Sequence, residues 1–176
     1  MMTQSVTLEQ VWTWLGEVPD PEIPVISVVD LGIVRDVAFE GDECVVTITP
    51  TYSGCPAMQV IADTVTEALH ARGLEHVRLI NRLSPAWTTD WMSEAGKAAL
   101  KGYGIAPPVQ QAIDISGLRG AGRDSIKRGT FVEPEIACPN CGSMHTQLTS
   151  QFGSTPCKAL YKCLECREPF DYFKCH

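Results

Sequence analysis

The sequence predicts an α+β chain: a small mixed sheet with packed helices, followed by a short β module that cysteines must hold together. Two observations carry that prediction. Residues 7–104 switch repeatedly between helical and strand-like hydrophobic periodicity. Residues 135–176 hold six of the eight cysteines in a stretch too short to bury a core of its own. Between them, residues 105–134 open on Pro107-Pro108 and run through GLRGAGRDSIKRG (117–129) without periodicity, which marks a linker or docking arm.

Taken in order, Leu8, Val11, Trp12, Leu15 and Val18 recur at helical spacing, with Thr7 placed to cap the helix and Pro19 to end it. DPEIPVISVVDLG (20–32) follows Pro19 and contains Pro21 and Pro24, so it reads as an ordered loop. Residues 33–40 and 43–50 alternate as strands, Val37 and Phe39 marking one face of the first, Val46 and Ile48 opposing Thr47 and Thr49 on the second. Gly41-Asp42 supplies the hairpin turn between them. A helix is predicted over 56–73, with Met58, Ile61, Val65, Ala68 and Leu69 on one face and Gly73 as its stop. Residues 76–83 read as a third strand, with Val77, Leu79 and Leu83 on one side, and 89–104 as a further helix.

The bulk numbers narrow the function. A net charge of −7 repels phosphate backbones, so binding to nucleic acid or an anionic membrane surface is disfavoured. The first ten residues carry no basic and apolar signal pattern, and no run reaches the roughly 20 apolar residues of a membrane helix. The expected location is the cytoplasm, where cysteines serve metals or catalysis rather than disulfides.

CPNCGSMH (138–145) and YKCLECREPF (161–170) each contain Cys-x-x-Cys, with 21 residues between the two motifs. Two such knuckles turn four sulfurs toward one ion, so Cys138, Cys141, Cys163 and Cys166 are the candidate ligands of a zinc-ribbon-like β module. Zinc in a closed four-thiolate site is the leading assignment; an iron–sulfur centre uses the same ligands and stays open. Cys157, Cys175, His145 and His176 are surplus soft ligands, and packing or surface roles compete with ligation for each.

One cysteine stands apart. In TYSGCPAMQV (51–60), Pro56 suits the first helical position, which puts Cys55 at the N-cap, where helix N–H groups favour a thiolate. A structural thiol, a metal or cluster ligand and a nucleophile are all compatible with that position. Asp20, Glu22 and Asp30 are candidates to lie near it as oxygen ligands or loop-orienting groups, and plain turn chemistry would also explain them. Cys44, inside a strand, reads as packing.

DPEIPVISVVDLGIV (20–34) with TPTYSGCP (49–56) closely resembles the small domain of SufT-like iron–sulfur assembly factors, over roughly residues 7–84. The resemblance implies iron or cluster handling at Cys55, with Asp20-Pro21-Glu22 and Asp30-Leu31-Gly32 as companion motifs. SPAWTTDWMSEAGKAALKGYGIAPP (84–108) and the cysteine-rich stretch 138–176 are similar to the D subunits of bacterial phenylacetyl-CoA epoxidases. That likeness implies a multicomponent oxygenase of phenylacetate degradation, with a diiron oxygenase and an iron–sulfur flavin reductase as partners; a homodimer is a further option. The generic assembly factors have no ribbon.

Two functions follow. The first is an accessory factor that matures or maintains the partners' iron centres, with iron or a cluster passing transiently through Cys55. The second is a structural bridging component whose zinc is only a staple. No complete acid–base or nucleophile constellation is visible, so the chain is not read as an enzyme on its own.

Overall fold

Thr7 opens the first helix with a reciprocal cap: its Oγ1 accepts from the Gln10 N–H and the Gln10 side chain accepts from its own N–H. The computed structural model describes residues 6–52, 54–109 and 135–174. In it, helix α1 (Leu8–Leu15) buries Val11 and Leu15 and stops four residues short of Pro19. Strands β1 (Val34–Glu40) and β2 (Glu43–Ile48) form an antiparallel hairpin whose turn uses Gly41 at φ +68°. Helix α2 (Met58–His70), burying Ile61, Val65 and Leu69, then crosses to β3 (Val77–Asn81), which lies parallel to β2. The first sheet therefore runs β1-β2-β3.

Three local expectations change. The face opposite Val46 and Ile48 is covered as well: β2 is the central strand, and Thr47 on it and Thr49 just beyond it are both buried. Leu83 lies beyond the end of β3 and is exposed. The helix expected over 89–104 is a 3₁₀ turn (Thr89–Trp91) and a separate α3 (Glu94–Gly102). The break has a cause: Ser93 caps α3, accepting from the Gly96 N–H while donating 2.6 Å to Asp30 Oδ1.

The second sheet runs β4-β7-β6-β5, made of β4 (Ile105–Ala106), β5 (Thr146–Ser150), β6 (Lys158–Cys163) and β7 (Pro169–Phe173). Ile105 and Ala106, expected in the linker, instead pair in parallel with Asp171 and Tyr172. Alternation along β7 divides its side chains. Phe170 and Tyr172 meet Tyr161 within the ribbon at centroid distances of 5.9 and 5.7 Å. Phe173 faces the other way and joins the α/β core, its ring 6.0 Å from Trp87 at an edge angle of 65°. Cys157 is buried in that same larger core. The two sheets thus share apolar packing through Trp87, Phe173 and Cys157.

The loop 20–33 is as buried as a strand. Ile23, Ile26, Val28, Leu31 and Ile33 all enter the core, and backbone bonds such as Asp20 N–H to Ile26 O (2.9 Å) absorb its polar groups. Gly32 adopts φ +76°, and a Cβ there would come within 2.6 Å of the Trp91 carbonyl oxygen. Asp30, accepting from Ser27 and Ser93 hydroxyls, pins this loop to the start of α3.

Candidate functional site

Two cysteine sites emerge. In the ribbon, each knuckle turns back on itself: the Gly142 N–H donates to Cys138 O, and the Cys163 N–H to Glu168 O. Gly142 holds φ +76° and Arg167 φ 65° within these tight turns. The four sulfurs of Cys138, Cys141, Cys163 and Cys166 lie within 4.8 Å of one another. Cys138–Cys166 and Cys141–Cys163 are 3.8 and 3.6 Å apart. A tetrahedral ion with bonds of about 2.3 Å to sulfur requires edges of about 3.8 Å, so the donor set fits zinc in size and chemistry. Burial alone would raise the Cys163 thiol, but N–H groups of Cys166 and Glu165 and the neighbouring sulfurs bring it down to about 6. At Cys166 the Glu168 N–H pulls downward, yet burial and three sulfur neighbours push the thiol up to about 12.

His145 is not a fifth member. It is exposed, with Nδ1 2.9 Å from Glu165 Oε1, outside the four-sulfur group. Cys157 is likewise outside it. Cys175 and His176 lie beyond the described residues.

The second site is a narrow cleft between the loop 20–33, the turn before α2, and the ribbon. Asp20, Glu22, Thr51, Cys55, Cys157 and Phe173 are among its lining residues. Asp20 is 5% exposed; its Oδ1 accepts from the N–H groups of Glu22 (2.9 Å) and Ile23 (2.8 Å), which shapes the Asp-Pro-Glu turn. Burial raises its carboxyl, with those two bonds opposing. Glu22 reaches across, and Cys157 Sγ donates to its Oε2 at 3.7 Å. Asp30 does not line this cleft, since both its oxygens are committed to Ser27 and Ser93.

Cys55 is not the N-cap. Helix α2 starts at Met58 with Ala57 in the cap position, and Cys55 to Ala57 form a preceding turn. The expected low-pKa thiolate is overturned as well. Half-burial raises the thiol; the Ala57 and Met58 N–H groups pull the other way; and the Glu22 and Asp20 carboxylates add to the rise. A protonated thiol is a poor nucleophile, so that option loses its physical basis. Tyr52, hydrogen-bonded to Cys55, is raised too, by burial and then by Cys55, Cys157 and Glu22. Sequence reading missed both Tyr52 and the Cys157–Glu22 contact; the only hint was a cysteine surplus to the two knuckles.

Comparisons with known proteins fall on two parts of the chain. Residues 8–78 match the family of iron–sulfur cluster assembly proteins, and residues 123–174 the PaaD zinc beta ribbon domain. An iron–sulfur maturation auxiliary factor of Bacillus subtilis (strain 168), YitW, is 36% identical over 52% of this chain and 91% of its own length. A crystal structure of a domain of unknown function, DUF59, from Bacillus anthracis is 32% identical, covers 52% of this chain and 89% of its own, and superposes with TM-score 0.48. Fold and site define an iron–sulfur-assembly-type domain carrying a four-cysteine metal ribbon. The Escherichia coli (strain K12) protein named as the D component of 1,2-phenylacetyl-CoA epoxidase is 45% identical over 96% of this chain and 93% of its own. The chain belongs to the family of these epoxidase D components.

Proposed function

We propose that this chain is an accessory component of a phenylacetyl-CoA epoxidase that delivers iron, or an iron–sulfur unit, to the metal centres of the oxygenase and reductase partners. Cys55 is the transfer ligand, with Glu22 and Asp20 beside it. The observation that carries this reading is the electrostatics of Cys55: a half-buried thiol facing two carboxylates is disfavoured as a bare anion. A divalent cation reverses that balance, because it lowers the thiol's pKa and turns the nearby carboxylates into ligands or counter-charges. The site is therefore suited to hold a cation rather than to attack an electrophile. Zinc, bound by Cys138, Cys141, Cys163 and Cys166, supplies the cross-link that the ribbon's small core lacks.

The test is the iron content of the oxygenase and reductase purified from cells that also make this chain. With Cys55→Ser, iron in at least one partner falls several-fold while zinc in the ribbon stays at one per chain. Full metallation of both partners by that variant sinks the transfer role and leaves a bridging component stapled by zinc.

A further inference from the structure

We propose that Cys157, a ribbon residue, is the second thiolate of the Cys55 site, so that a single ferrous ion is held between the two sheets by Cys55, Cys157, Glu22 and Asp20. This rests on the reading that Cys55 handles iron.

Four observations point to it. Cys157 is 5% exposed, lines the same cleft as Cys55, and meets Glu22 at 3.7 Å although the two are 135 residues apart in the chain. It plays no part in the ribbon's own metal group. Asp20 is 5% exposed, spends Oδ1 on the turn backbone and lines the same cleft as Cys55 and Cys157. Tyr52 sits within electrostatic reach of Cys55, Cys157 and Glu22 together.

The donors select the cargo. Two sulfurs with carboxylate oxygens suit a borderline divalent ion better than copper(I) or a hard ion such as magnesium. The cleft has room for about one water-sized sphere, which favours one ion over a cluster. Capture is a ligand-exchange step: each thiol releases one proton to solvent, two aqua ligands leave the ferrous ion, two iron–sulfur bonds take their place, and the iron stays ferrous. Among the described residues the cleft holds no three ligand atoms within 4.8 Å of one another, so its four side chains must draw together around the ion.

The test uses the full-length, zinc-loaded protein under anaerobic conditions, with cobalt(II) as the optical probe of the ferrous site. Wild type takes one cobalt beyond its zinc and shows thiolate-to-metal absorption. Cys157→Ser halves that absorption and weakens binding about tenfold or more, as Cys55→Ser does. Full absorption and affinity in Cys157→Ser, with loss in Cys55→Ser, overturns this proposal but leaves Cys55 as the iron ligand. Unchanged binding in both overturns the reading of Cys55 itself. Should Cys157→Ser fail to fold, phenylarsine oxide decides on wild type: it protects Cys55 and Cys157 together if they act as a pair, and protection of Cys55 alone overturns it.

Discussion

The ribbon gathers four sulfurs within 4.8 Å of one another, whereas the cleft sets Cys55 and Cys157 among carboxylates without closing them on a common centre. Their local architecture differs in the same sense. Each ribbon pair comes from one tight turn, so two ligands are placed by a few residues of backbone. The cleft's candidate ligands come from a buried loop, a pre-helical turn and the residue just before β6 of the second sheet. A site built from local turns is fixed by short-range backbone, while one assembled across elements depends on how those elements pack together. Both use cysteine, and what distinguishes them is how far apart in the chain their side chains originate.

The sharpest way to break this contrast is to remove the ribbon ion. Structural zinc in small peptides supplies about 10–16 kcal/mol of apparent folding energy. Acid stripping with chelation, or Cys163→Ser, is expected to abolish the ordered ribbon, read as lost strand signal in circular dichroism and protease cleavage within 135–174. A ribbon that stays protected without metal would refute the staple. Next in size is Phe173→Ala, which empties the contact with Trp87 and should cost about 3–5 kcal/mol, as for other buried aromatics. The expected signature is one lowered melting transition for the whole chain; an unchanged α/β transition would mean the sheets do not share their core.

The smallest effect concerns pH. Because the Cys55 pKa is raised, its alkylation should be slow at pH 7 and keep climbing as the solution passes pH 9. Glu22→Gln removes one of the charges that raise it, so the pKa moves down and the rate at pH 8 rises a few-fold. A slower Glu22→Gln protein would show that the carboxylate does not act on this thiol.

What the sequence revealed and hid follows from range. The four ribbon cysteines were legible because Cys-x-x-Cys is a local turn, and Thr7, Gly41 and Gly73 because caps and turns are local too. The start of α2 was misread: Pro56 fits a first helical position, but the chain makes one more turn before the helix begins at Met58. The N-cap at Ser93, just before Glu94, was legible in principle and was masked by continuous helical periodicity across it. Asp30 could not be placed from its loop, since its partner Ser93 lies 63 residues away. The burial of Thr47 and Thr49 was likewise invisible, because alternation reports one covered face and this strand has two.

Phe173 and Cys157 have one more implication. These residues belong to the ribbon by sequence and to the α/β core by packing, so on the proposed reading a cleft ion and the ribbon ion share one packed unit. Thermodynamic reciprocity then applies: whatever factor an intact ribbon adds to cargo affinity, bound cargo must return to the ribbon's hold on zinc. On that reading, loss of the ribbon ion would weaken cargo binding at the cleft by the same factor.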